Sequence, residues 1–188
     1  MCKKIDEQAA YIKGKVITDV TQIDAKIETT PMDKDWVERI KDEHWYHKND
    51  YTEEYIKRDP KNGHRMLELR KKLLSFGGQE VCTPMFEYDL ENILDRGQLW
   101  FGDRIKMMKG QPSQCHRNSC NLWENNKDKT VLCTGYALSE DGLWRCHSWL
   151  VWLKPRKNYV VETTVKRKAY FGFVMTEEEA NQFCEENF

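Results

Sequence analysis

The sequence predicts an α+β fold: a helical N-terminal half, then a cysteine-bearing helix packed on an antiparallel β-sheet. Two observations carry that expectation. Up to Gly97, apolar residues recur at helical spacing among charges, whereas from Val131 onward the period drops to that of strands joined by turn sequences. Between the two regimes, Gly110-Gln111-Pro112-Ser113 breaks regular structure directly ahead of Cys115. A chain of 188 residues is most economically one domain. We divide it into an N-terminal arm or edge strand over 1–30 and a single α+β domain over 31–188. Within that domain, 31–98 is helical scaffold and 99–188 is a catalytic-type core.

The first half reads as helices with stop signals. Val16-Ile17 and the alternation from Ile23 to Ile27 suit an arm or edge strand. Asp33 is an N-cap candidate for a helix over Lys34–His47, with Trp36, Val37, Ile40 and Trp45 on one stripe. His44 and His47 lie one turn apart there, but without an H-E-x-x-H pattern they read as solvated histidines. A short helix over Tyr51–Arg58 is expected before Pro60. Met66, Leu67, Leu69, Leu73 and Leu74 then make an amphipathic helix ended by Gly77-Gly78. Arg70-Lys71-Lys72 suits the negative end of that helix without a ligand. Thr83, Pro84 and Glu87 resemble a further helix start, with Met85, Phe86, Leu90, Ile93 and Leu94 buried and Gly97 as stop.

In the second half, Leu99–Gly102 and Ile105–Met108 are short strands. Cys115 opens a short helix that continues through Asn118, Leu122 and Trp123. Thr130–Leu138 is a strand, Ser139-Glu140-Asp141-Gly142 a hairpin turn, and Leu143–Leu153 the returning strand. After a turn at Pro155–Asn158, Tyr159–Thr164 and Tyr170–Val174 complete a meander. Thr176 and Glu179 form a capping box for a closing helix over Glu177–Glu186.

Composition narrows the function. Lys and Arg total 30 against 31 Asp and Glu, so nothing marks a nucleic-acid binder. No apolar run approaches a membrane span. The N-terminus lacks a signal-peptide core, and seven irregularly spaced cysteines suit a reducing compartment, so a cytoplasmic location is expected. With no C-x-x-C pair, no metal site or cofactor is called for.

The chemistry-bearing pieces are Cys115, His147 and Glu162. A thiol in the first turn of a helix is where unpaired N–H groups and the helix dipole favour thiolate. A thiol nucleophile needs a base, and the base a partner to orient it. His147 and Glu162 fall on adjacent strands, and a carboxylate inside Tyr159-Val160-Val161 requires a partner. Gln111 and Gln114 are candidate oxyanion donors. His116 should point away from Cys115 as a surface or substrate-contacting residue, and Asn118 should cap or line the site. Trp149 shields the His–acid pair or packs in the core, and Arg145, Arg167 and Tyr170 edge a cleft.

Taken together, Cys115 at a helix start, Gly135-Tyr136, His147-Ser148-Trp149 and Glu162-Thr163-Thr164 resemble the transglutaminase-like branch of the papain-type cysteine hydrolases. The resemblance spans about Gly110 to Phe173. It departs from that family in Gln114 where Gly is usual before the cysteine, and in Glu162 where Asp is usual. It implies a papain/transglutaminase-like core and chemistry through a thioester on a peptide or amide substrate, by hydrolysis or acyl transfer. The spacing of Gln114 to Cys120 also resembles the Gln-to-Cys spacing of papain-type proteases, which keeps Cys120 as an alternative nucleophile. Two other readings stand beside this one: a non-catalytic interaction module of the same fold, and a metal-binding protein using Cys115, His116, Cys120 and Cys146 or His147. Substrate identity and oligomeric state are left open.

Overall fold

The computed structural model describes residues 26–30, 56–57, 59–82, 87–103, 105–153 and 158–188. The expected helix over 34–47 with its histidines, most of the 51–58 helix, the 83–86 helix start, the 155–157 turn and most of the N-terminal arm lie outside these residues. Helix α1 (Pro60–Phe76) starts where Asp59 accepts from the Asn62 N–H and Pro60 supplies a preset φ. It buries Met66, Leu69, Leu73 and Phe76, a stripe of period three to four. It ends at Gly77, whose φ of 132° and 2.5 Å clearance from the Ile27 carbonyl leave no room for a Cβ. Ile27 bridges Gly77 and donates to the Phe76 carbonyl, so the end of the arm is anchored there.

Strand β1 (Glu80–Cys82) was not foreseen, because its parallel partner lies about sixty residues further on. Arg70 is not a dipole ornament either: its guanidinium takes both oxygens of the buried Glu80. Helix α2 (Leu90–Arg96) begins later than the Thr83 signal suggested. Glu87 lies outside it and accepts instead from the Tyr136 hydroxyl.

Strands β2 (Gln98–Phe101) and β3 (Ile105–Met107) precede helix α3 (Cys115–Glu124). Strands β4 (Thr130–Leu138), β5 (Leu143–Trp152), β6 (Tyr159–Glu162) and β7 (Ala169–Val174) follow, then helix α4 (Glu177–Asn187). The fold is thus α+β, with a mixed, mostly antiparallel sheet in the order β2-β7-β4-β5-β6-β3. The expected meander holds for β4, β5 and β6. Strand β7 departs from it: it crosses back to the far edge of β4, while β3 joins β6 in parallel.

Alternation fixes what each face does. Leu132, Tyr136 and Leu138 of β4, with Trp144 and Leu150 of β5, join the core cluster that includes residues of the four described helices. The intervening Val131, Cys133, Ala137, Trp149 and Val151 form a second cluster on the opposite face with Val160 and Tyr170. Arg96 clamps α2 to α4 through both oxygens of Glu179 and the Val174 carbonyl.

One consequence of the pairing positions the site. Strand β5 pairs with β4 along nearly its whole length. Its other edge is shared, by β1 at Leu143–Arg145 and by β6 at Leu150–Trp152. Between them, at Cys146 to Trp149, that edge is split, and the start of α3 closes on it: the Ser119 hydroxyl donates to the Ser148 carbonyl at 3.0 Å.

Candidate active site

Cys115, His147 and Glu162 converge at this split. Cys115 is the first residue of α3, preceded by the turn in which Ser113 holds φ at 59°. No side chain caps the helix start, and no acidic residue occupies its first turn. The loop ahead of it is stitched to the strand that carries the acid: the Met108 and Gly110 N–H groups donate to the Glu162 and Thr163 carbonyls at 2.9 and 2.8 Å. On β5, His147 stands opposite Gly135 of β4. One step past the Leu150–Val161 pair, Glu162 falls across from Trp149, on the face His147 shares.

His147 Nε2 meets Glu162 Oε2 at 2.9 Å, with His147 2 % and Glu162 0 % exposed. The Tyr170 hydroxyl donates to the same oxygen at 2.9 Å, and the Thr164 N–H and hydroxyl donate to Oε1 at 2.7 and 2.9 Å. Burial alone would push the Glu162 carboxyl up, but these hydrogen bonds and the imidazole's charge hold it below the ordinary carboxylate value. The same pairing works in reverse on His147. Burial pulls its pKa down, yet hydrogen bonds to Cys115 and Glu162 raise it above the ordinary imidazole value. With Nε2 committed to Glu162, Nδ1 is the nitrogen left for the thiol.

Cys115 is half-buried. Burial would raise its thiol, but hydrogen bonds with His116 and His147, and their charge, bring it down to about 5. Every other cysteine that titrates among the described residues moves the opposite way. Burial pushes Cys82 to about 11 and raises Cys120, Cys133, Cys146 and Cys184. Cys120 is fully buried and hydrogen-bonded to Cys184 of α4, which removes it as the nucleophile.

The thiol opens into a cavity of about 530 Å³ lined by the Lys109–Ser113 loop, the start of β5 and the 164–167 segment. Arg145 and Arg167 line it, as expected for cleft-edge residues, whereas Tyr170 lies behind Glu162 in the core. Trp149 is fully buried and stacks on the His147 ring, with an interplanar angle of 13° and centroids 6.4 Å apart. It therefore walls off the far side of the His–acid pair.

Other expected site residues stand differently. Gln111 and Gln114 are exposed, and neither lines the cavity. Asn118 does not line the site. It bonds the Gln111 backbone from both sides, at 3.0 and 2.7 Å, and so shapes the turn before α3. His116 points inward rather than away. Its Nδ1 lies 2.7 Å from the Ser148 hydroxyl, which donates on to Thr134, and its ring meets Phe183 of α4 edge-on. The helical wheel misled because the split in β5 lets α3 sink into the sheet edge, so that more than one side of its first turn is covered. Nor do Cys115, His116, Cys120 and Cys146 converge on an ion: among the described residues no group of three or more His, Cys, Asp or Glu could hold a metal.

Sequence reading missed the roles of Tyr170, Thr164, Ser148 and Lys109. Thr164 was within reach, since a carboxylate and a hydroxyl two residues apart form a local turn. Tyr170 carried no local signal, because it reaches Glu162 only through the crossover of β7. No family model matches the chain, and neither a curated protein nor a solved structure matches it. The described helices include none long and apolar enough to cross a membrane.

Proposed function

We propose that the chain is a cysteine-nucleophile hydrolase or acyl-transferase, acting on an amide or ester through a thioester, with Cys115 as nucleophile, His147 as proton carrier and Glu162 as its orienting acid. The observation that carries this reading is the Cys115 thiol. It alone among the described cysteines has its pKa lowered, and it is hydrogen-bonded to a histidine held by a buried carboxylate. The order of parts, a cysteine at a helix start followed by histidine and acid on successive strands, is that of a papain/transglutaminase-like core.

The chemistry balances on these groups. The Cys115 thiolate attacks the carbonyl carbon, and the carbon–nitrogen or carbon–oxygen bond breaks. The departing amine or alcohol takes the proton from the His147 imidazolium. Water or an amine then attacks the thioester and gives its proton to His147 as the thiolate leaves. We assign the developing oxyanion to N–H groups in the first turn of α3, whose start no side chain caps. Glu162 keeps the imidazolium stable while it carries the proton.

Alkylation of Cys115 against pH tests the reading. The Cys115 pKa is lowered, so its thiolate persists on acidification and is lost only as pH falls through about 5. Near pH 7, about thirtyfold more thiolate than in an ordinary thiol is offset by a similar loss of intrinsic nucleophilicity. Near pH 5.5 the population wins, and Cys115 should label about twentyfold faster than a free thiol. A labelling midpoint near the ordinary thiol value would remove the basis of the proposal.

A further inference from the structure

The cavity in front of Cys115 has a charge pattern that the thiol chemistry does not use. Lys109, Arg145 and Arg167 line it, and no Asp or Glu does. Arg145 is neutralised by a bidentate pair with Asp141, at 2.8 and 2.6 Å. Arg167 and Lys109 make no close ion pair among the described residues, and the charge of Arg167 reaches Asp141 only through space. One terminal N–H of Arg167 donates to the Ser139 hydroxyl, while its Nε is buried without a partner. Nor are these cations the groups that favour the thiolate, since His116 and His147 do that. A cleft lined by one sign of charge between low-dielectric walls focuses its field on an entering group.

Building on the proposed function, we propose that this cavity selects an acyl donor bearing an anionic group, a carboxylate or a phosphate, close to the reacting carbonyl, with Arg167 and Lys109 as its counter-charges. The 530 Å³ cavity has room for such a group beside the carbonyl. Arg167 supplies the directional donors, and Lys109, on the exposed rim, a steering charge.

Iodoacetate and iodoacetamide provide the test, because they differ by one negative charge and alkylate a thiolate by the same displacement of iodide. The readout is the ratio of their rates at Cys115 relative to the ratio at free cysteine, so that changes in thiol reactivity common to both cancel. The expected preference for iodoacetate is on the order of fivefold. It should fall toward one in Arg167→Gln and in Lys109→Gln and be retained in Arg167→Lys. A wild-type ratio no higher than that of free cysteine, or one that neither Gln variant moves, overturns the proposal. Should Arg167→Gln fail to fold, Lys109→Gln at the exposed rim and the wild-type ratio still decide it.

Protection of wild-type Cys115 from iodoacetamide by succinate or by inorganic phosphate, against sodium chloride of equal ionic strength, identifies which anion is favoured. Protection by neither overturns the proposal. A Cys115 inert to both reagents overturns the thioester chemistry instead. Stabilisation by the same two anions in thermal unfolding then decides the cavity's preference independently of the thiol.

Discussion

Glu162 sets the charge pattern of the site. Its two oxygens accept from His147, Tyr170 and twice from Thr164, so a fully buried carboxylate has no lone pair facing apolar surroundings. The pKa directions give a sign for each member. Glu162 is lowered, so the stability from its ionised form is complete above the ordinary carboxylate value near about 4.3 and lost as pH falls through its folded value. His147 is raised, so its contribution is complete below the ordinary imidazole value near about 6.5 and lost as pH rises through its folded value. Glu162→Gln keeps the shape and removes the charge. The imidazolium then loses its counter-ion, and the thiolate loses the imidazolium. The Cys115 labelling midpoint should rise by about one unit or more, as followed by mass spectrometry across pH. A midpoint unmoved in that variant would show that Glu162 orients nothing that reaches the thiol.

Helix α4 and strand β4 show how differently an element can be written into a sequence. The capping box of α4 is local: the Thr176 hydroxyl accepts from the Glu179 N–H and Glu179 returns a bond to the Thr176 N–H. Thr176→Ala should cost about 1 kcal/mol, read from the urea midpoint. Gly135 is legible only in the fold. Its φ is 151°, and a Cβ there would lie 2.3 Å from the Phe171 carbonyl, on the strand opposite His147. Gly172, its partner on β7, has a Cβ position only 2.8 Å from the Trp149 ring. The two glycines together let β4 and β7 come close enough for that ring to sit behind His147. Gly135→Ala should therefore destabilise by more than about 2 kcal/mol in chemical unfolding. A loss below half of that would mean that the strands part easily at this point.

At the scale of the molecule, the split edge of β5 makes the site, because two strands share one edge and leave His147 uncovered between them for α3 to approach. The same packing hides the other thiols. Cys120, Cys133 and Cys184 are buried and should label only when the chain opens, slower than Cys115 by about a thousandfold or more in native buffer, with rates rising together in urea. Labelling of Cys120 at the rate of Cys115 would place the α3–α4 contact at odds with that packing. The chain spells out, within short windows, the elements whose signals are local. These are the stripe and glycine stop of α1, the helix start at Cys115, the β4–β5 hairpin and the capping box of α4, each written within a turn or two of chain. It also brought His147 and Glu162 to adjacent strands, since a short turn and a period of two leave few registers open. The remaining features emerge only on packing. The parallel strands β1 and β3, the crossover of β7 that brings Tyr170 to Glu162, and the inward turn of His116 all depend on partners far along the chain. Such pairings are set by which buried surfaces fit together, and no window of neighbouring residues records that fit.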